Sequence, residues 1–232
     1  MLKKLDKIST IYQGKLIIDD DVKNSIKKEW NEFIKGKDSK EFFDGDIYCV
    51  TDINDKIPLI KISKSKFSCL YYARKTNKIT IRSLFSAGFI TTSDNYVFII
   101  INNRDDKLNA IGGMADRKDF INKEFDFYKC LVREFMEELG FDLVNDSNFD
   151  VIFRFLKYPS GEELNKAYYP VGALYEIKTN YTKDQLIDMF NKNKRDREVK
   201  ELKFFNSNNY KEIYSYKSNA DYLDELFSIL FE

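Results

Sequence analysis

Apolar residues change their spacing several times along the chain, and each change marks an element. Val22, Ile26, Trp30, Phe33 and Ile34 recur at three- and four-residue intervals, which predicts an amphipathic helix with Trp30 as a core anchor. Asp19-Asp20-Asp21 stands before it, where carboxylates favour a helix N-terminus, and Gly36 marks its end. Phe42-Phe43-Asp44-Gly45-Asp46 reads as a turn into a strand over Ile47–Thr51, and Pro58–Ile62 reads as a second strand. Ser86–Thr92 and Tyr96–Ile101, joined by the polar Ser93-Asp94-Asn95, predict a β-hairpin. A loop at Asn102–Asp106 leads to a short strand, Leu108–Ile111, then to Gly112-Gly113 and a polar stretch as far as about Phe125.

The second half repeats the alternation. A helix is predicted from Tyr128 to Leu139, with Gly140 at the position that favours a left-handed residue. Strands follow at Val151–Leu156 and Pro170–Ile177, separated by the turn Tyr158-Pro159-Ser160-Gly161. A helix at Lys183–Phe190, a strand at Leu202–Phe205 and an amphipathic helix at Tyr222–Phe231 complete the chain. Strands and helices interleave without regular βαβ spacing, so the expected class is α+β and not a doubly wound sheet. The change in pattern near residue 80 divides the chain into a small α/β lobe, residues 1–80, and a larger domain, residues 81–232.

Composition narrows the chemistry. The 38 Lys plus Arg balance 38 Asp plus Glu, so no basic excess points to a nucleic-acid backbone as partner. There is no histidine, which excludes a Ser-His-Asp or Cys-His relay and leaves proton transfer to carboxylates, Lys, Tyr, Cys or water. Cys49, Cys69 and Cys130 are odd in number and form no CxxC, as expected of reduced thiols. The start MLKKLDKIST lacks a signal-like apolar core, and no run reaches about 18 apolar residues. A cytoplasmic protein that makes no membrane contact is expected.

One segment concentrates charge of a kind that does chemistry. In Arg133-Glu134-Phe135-Met136-Glu137-Glu138-Leu139-Gly140-Phe141, helical spacing puts Val132, Phe135, Met136 and Leu139 on a buried stripe. It gathers Glu134, Glu137 and Glu138 on the other side. Arg133 reaches Glu137 one turn on, but one guanidinium does not neutralise three carboxylates. A hard divalent cation does, and Mg²⁺ prefers carboxylate oxygens together with water.

The segment resembles the core of the Nudix box, G-x5-E-x7-R-E-U-x-E-E-x-G-U, where U is a bulky aliphatic residue. Every fixed position from the Arg onward is filled, with Phe135 and Phe141 as aromatic versions of U. Leu108-Asn-Ala-Ile-Gly112-Gly113 is similar to the strand and double glycine that open the family's loop. Gly113 and Arg133 are 20 positions apart where the motif has 14, so the loop carries about six extra residues. Asp119 or Glu124 is left to replace the first glutamate, and the sequence does not choose between them. The resemblance covers residues 84–232 and implies an α/β/α sandwich with a mixed sheet. It implies hydrolysis of a nucleoside diphosphate linked to another moiety, with Mg²⁺ or Mn²⁺. It implies Glu134, Glu138 and the Gly113 carbonyl as metal ligands, Glu137 completing the acidic cluster as ligand and catalytic group, and Arg133 orienting a glutamate.

Other residues extend this expectation. Many members take a further glutamate from outside the box, and Glu198, before the late strand, is preferred to Glu201, with Glu162-Glu163 as a rival. Arg104, after the hairpin, is the candidate phosphate contact. Residues Trp30, Phe42–Val50 and Tyr71-Tyr72 loosely resemble, in order, the accessory lobe of the branch that cleaves UDP-sugars, while Pro159-Ser160-Gly161 faintly resembles a turn of ADP-ribose pyrophosphatases. The expected partner is a small nucleotide-diphosphate substrate, with a capped RNA end as the one nucleic-acid form and a homodimer compatible with the chain. The alternative is a Nudix-fold module that binds or senses a nucleotide without turning it over.

Overall fold

A computed structural model describes residues 2–3, 9–37, 43–54, 59–103, 106–167, 169–193, 198–218 and 223–231. Phe42, Pro58, Arg104, Asp105 and Tyr222, which fall in the segments named above, lie outside the described residues. The first part of the chain forms β1 (Leu2–Lys3), β2 (Ser9–Lys15), α1 (Asp20–Ile34), β3 (Asp46–Asn54), β4 (Leu59–Lys66) and α2 (Phe67–Thr76). The middle forms β5 (Arg82–Thr91), β6 (Tyr96–Asn102), β7 (Leu108–Asn109), β8 (Ile111–Met114), β9 (Phe120–Ile121), β10 (Glu124–Phe125) and α3 (Phe127–Glu138). The last part forms β11 (Phe149–Lys157), β12 (Val171–Thr179), α4 (Lys183–Asn193), β13 (Val199–Asn206) and α5 (Leu223–Phe231).

The strands make a mixed sheet in the order β1-β11-β12-β5-β3-β4-β2, with β6 and β8 also on β5, β7 and β13 on β6, and a separate β9–β10 hairpin. The pairs β5–β12 and β2–β4 are parallel and the other pairs are antiparallel. β5 is central and largely buried, as its apolar run from Ala87 to Ile90 requires of a strand covered on both faces. On one face Leu131 and Phe135 of α3, Leu139 at its C-terminal cap, and Leu186 and Phe190 of α4 pack on Leu84, Ile90, Phe98 and Ile177. On the other, Leu223, Leu226 and Phe227 of α5 pack on Ala87, Phe89, Val97 and Ile99. A mixed sheet between helical layers is therefore the observed fold; the pattern predicts its α+β class, and the resemblance implies the layered arrangement. Among the described residues no helix is long and apolar enough to cross a membrane.

The sheet is continuous through residue 80, because Cys49 and Val50 of β3 pair with Ser83 and Arg82 of β5. Tyr48, Val50, Ile60 and Ile62 belong to the same core as α3. A third apolar cluster sits under α1 and α2, with Ile26, Cys49, Leu70 and Ala73 at its centre. Trp30 is buried beside it, in contact with the rings of Phe33, Phe67 and Tyr71. The strand β2 and the helix α2 are not predicted by the pattern. β2 alternates weakly, and α2 is rich in aromatic and hydroxyl residues that favour a helix little; tertiary packing decides both. The polar stretch after Gly113 also acquires structure, as the turn Arg117–Asp119 followed by the β9–β10 hairpin.

Candidate functional site

The site is built on α3 and the loop that enters it. Asp126 caps α3, its carboxylate accepting from the Lys129 N–H at 3.0 Å. Gly140 follows the helix at φ +72°, the left-handed conformation the sequence predicts there. The buried stripe is rotated from the expected one. Leu131, Phe135 and Leu139 are fully buried, whereas Val132 and Met136 are only half-buried. The rotation carries Glu138 inward to 6% exposure. It leaves the Glu134 side chain 12% exposed and that of Glu137 46% exposed. The acidic cluster thus straddles the edge of the core and does not form a solvated face.

Arg133 organises this cluster. Its Nε and Nη2 donate to Asp119 Oδ1 and Oδ2, each at 2.9 Å, a two-pronged fit between guanidinium and carboxylate. Nη1 lies 2.7 Å from Glu134 Oε1 and donates to Glu137 Oε2 at 2.9 Å, while Nη2 also donates to the Met114 carbonyl at 3.1 Å. Asp119 is completely buried, and its Oδ2 additionally accepts from the Asp116 N–H at 2.8 Å. Of the two residues left open for the first glutamate of the motif, Asp119 is the one in contact with Arg133, and Glu124 is exposed on the hairpin. Burial acts to lower the Arg133 pKa, but the hydrogen bonds and charges of Asp119 and Glu134 outweigh it and keep the group cationic. Burial pushes the Glu134 carboxyl up to about 7 against the pull of Arg133.

Gly113 closes the other side. A Cβ built there would lie 2.3 Å from Glu134 Oε1 and 2.5 Å from its carboxyl carbon, so the absent side chain makes room for this carboxylate. Cys130 donates its S–H to the Gly113 carbonyl at 3.7 Å. Glu198 is exposed in the bend before β13, its carbonyl accepting from the Asn103 N–H at 2.7 Å. Glu163 serves its own turn, accepting from the Ser160 N–H at 3.1 Å. Among the described residues no three Cys, Asp or Glu side chains converge as a ready-made ion cage. The donor set nonetheless suits a hard cation. Glu134, Glu137, Glu138 and the Gly113 carbonyl supply only oxygen, the donor that Mg²⁺ prefers.

No family model matches the sequence. No curated protein matches it either. Among solved structures the chain is similar to DR0079 from Deinococcus radiodurans, with 14% identity over 79% of this chain and 99% of that one and a TM-score of 0.48. It is also similar to a Nudix hydrolase from Nitrosomonas europaea, at 12% identity over 63% and 86% with a TM-score of 0.43. The Nudix domain of Shewanella oneidensis NrtR, solved with ADP ribose, gives 9% identity over 63% and 84% and a TM-score of 0.40. At these identities and TM-scores the likenesses carry no weight for what this chain does.

Proposed function

We propose that this chain is a Nudix-type hydrolase that cleaves the diphosphate linkage of a nucleoside diphosphate joined to another moiety, with UDP-sugars and ADP-ribose as the first substrates to test. One observation carries the reading: Arg133, Glu134, Glu137 and Glu138 lie on a single helix that Gly140 follows, with Arg133 fixed by a buried Asp119 and Glu134 resting over Gly113. Glu134, Glu137, Glu138 and the Gly113 carbonyl would hold Mg²⁺ or Mn²⁺. Such an ion neutralises diphosphate charge and lowers the pKa of bound water. The chain's own part is orientation. Asp119 takes the place of the motif's first glutamate, Arg133 aligns Glu134 and Glu137, and Glu198 is assigned as the carboxylate that accepts a proton from the attacking water. Arg104 is retained from the sequence as a phosphate contact. Residues 81–232 form the hydrolase domain in this reading and residues 1–80 its accessory lobe, in a cytoplasmic enzyme.

The test is a screen of the purified chain with Mg²⁺ and Mn²⁺ against UDP-glucose, ADP-ribose, NADH, diadenosine polyphosphates and capped RNA. Turnover of one of these is expected, with a loss of at least about a hundredfold in Glu138→Gln. A Glu138→Gln variant as active as the parent overturns the site assignment. A second reading, a nucleotide-binding module without turnover, is favoured by the way Arg133 occupies one oxygen of both Glu134 and Glu137. Silence across the panel with nucleotide binding retained selects that reading.

A further inference from the structure

The extra residues in the loop before α3 do not hang free. Phe120-Ile121 and Glu124-Phe125 pair as the β9–β10 hairpin, and Asn122 and Lys123 at its tip take φ +49° and +69°, as a tight hairpin turn requires. The hairpin is joined to the N-terminal strand β2. Thr10, 3% exposed, accepts from the Phe125 N–H at 2.7 Å and donates its hydroxyl to the Phe125 carbonyl at 3.4 Å. The Tyr12 N–H donates to the Lys123 carbonyl at 3.2 Å. The rings of Tyr12, Tyr48 and Phe120 close over the joint, with centroids 4.6–5.9 Å apart.

The far end of the same hairpin is joined to the acidic cluster. Asp119 immediately precedes β9, and Asp126, the cap of α3, immediately follows β10. The Asp126 N–H donates to the Asp119 carbonyl at 2.9 Å, so one hydrogen bond ties the base of the hairpin to both. Asp119 then holds Arg133, and Arg133 holds Glu134 and Glu137. The side chain of Thr10 is four links from Arg133 along this path: Phe125, Asp126, Asp119, Arg133.

We infer that Thr10 is a positioning residue for the Arg133 cluster, and that the inserted hairpin is the part through which residues 9–15 set the geometry of the site. Asp119 and the helix cap are tied to each other by their own hydrogen bond; without the joint to β2 that pair would be free to shift together relative to the sheet, and with it both are referenced to the N-terminal edge of the sheet. The geometric claim stands without the hydrolase reading, and only its kinetic consequence rests on that reading.

The experiment compares Thr10→Val, which keeps the branched shape and removes the hydroxyl, with Thr10→Ser, which restores the hydroxyl. Amide hydrogen exchange is followed over residues 116–126, and the Arg133 Nε–H resonance reports the grip of Asp119. Thr10→Val is expected to speed exchange at Asp119, Phe125 and Asp126 by about tenfold, the loss of a buried hydrogen bond, and to shift or broaden the Arg133 signal. Thr10→Ser is expected to return both to within about twofold of the parent. On the substrate that the parent turns over, kcat falls about tenfold in Thr10→Val while KM stays within about twofold. Faster exchange confined to Phe125, with an unchanged Arg133 signal, overturns the inference. A parent that turns over no member of the panel refutes the hydrolase reading alone, because the Arg133 signal still decides the positioning. If Thr10→Val does not fold, Tyr12→Leu, which removes the ring contact with Phe120, is read in the same way.

Discussion

Two clusters of three acidic residues stand on helices of this molecule, one at the entry to α1 and one on α3, and they are put to opposite uses. At the start of α1, Asp19, Asp20 and Asp21 face water. Asp19 makes no side-chain cap, and Asp20 pairs with Lys23 at 2.7 Å with its side chain 90% exposed. On α3, Glu134 and Glu138 are turned toward the core, and Glu137 is half exposed beside them. The pKa shifts separate the two cases. The Lys23 hydrogen bond lowers Asp20, whereas burial raises Glu134 to about 7 even with a guanidinium against it. A density of carboxylates is thus not itself a site. What distinguishes α3 is a layer of apolar residues that excludes water and a second layer, Asp119 and Gly113, that fixes where the charges stand.

The sharpest way to break this comparison is to remove that second layer. Asp119 is fully buried, and the Arg133 side chain facing it is 15% exposed. Asp119→Ala leaves a buried cation without its main partner, and the expected loss is about 3–5 kcal/mol of stability by urea unfolding. A loss below about 1 kcal/mol would mean that Glu134 and Glu137 suffice for Arg133 and that Asp119 is incidental.

Gly113→Ala comes next. The added Cβ meets the end of the Glu134 side chain, which would swing aside cheaply were it not held 2.7 Å from Arg133 Nη1. The expected cost is about 1–2 kcal/mol, comparable to other overpacked sites. A double-mutant cycle sharpens the point. In a Glu134→Ala background the same substitution should cost almost nothing, and a cost that persists would place the strain in the backbone and not in the carboxylate.

Much of this arrangement is legible in the sequence, and the remainder is not for definite reasons. The α3 helix, its terminal Gly140 and the Arg133–Glu137 pair follow from spacing alone, because they are contacts within one turn of one helix. The β5–β6 hairpin follows from two apolar runs around a polar turn. Asp119 does not, since it meets Arg133 from 14 positions away across a loop whose length departs from the motif. Nor does the one-residue rotation that buries Glu138, which depends on how α3 docks against Leu84 and Ile90. The hairpin on β2 is least visible of all. Its joint links Thr10 to Phe125, 115 positions apart, through one hydroxyl in a strand that has little pattern of its own. Local periodicity reports on neighbours along the chain, and these three features are tertiary.

The smallest effect tests the other half of the comparison. Asp20 has its pKa lowered by Lys23, so whatever this pair contributes is present above the ordinary aspartate pKa and is lost as the pH falls through the lowered value. The side chains are exposed, and salt screens such pairs within a Debye length. Asp20→Asn should therefore leave the urea midpoint at neutral pH and physiological salt within experimental error, and should leave any hydrolytic activity untouched. The same substitution at low salt should move the midpoint slightly, because screening weakens there. If instead Asp20→Asn shifted the midpoint as far as Gly113→Ala does, at high salt as well as low, then exposure would not divide the two triplets. The difference between α1 and α3 would have to be sought in their sequences and not in the layers around them.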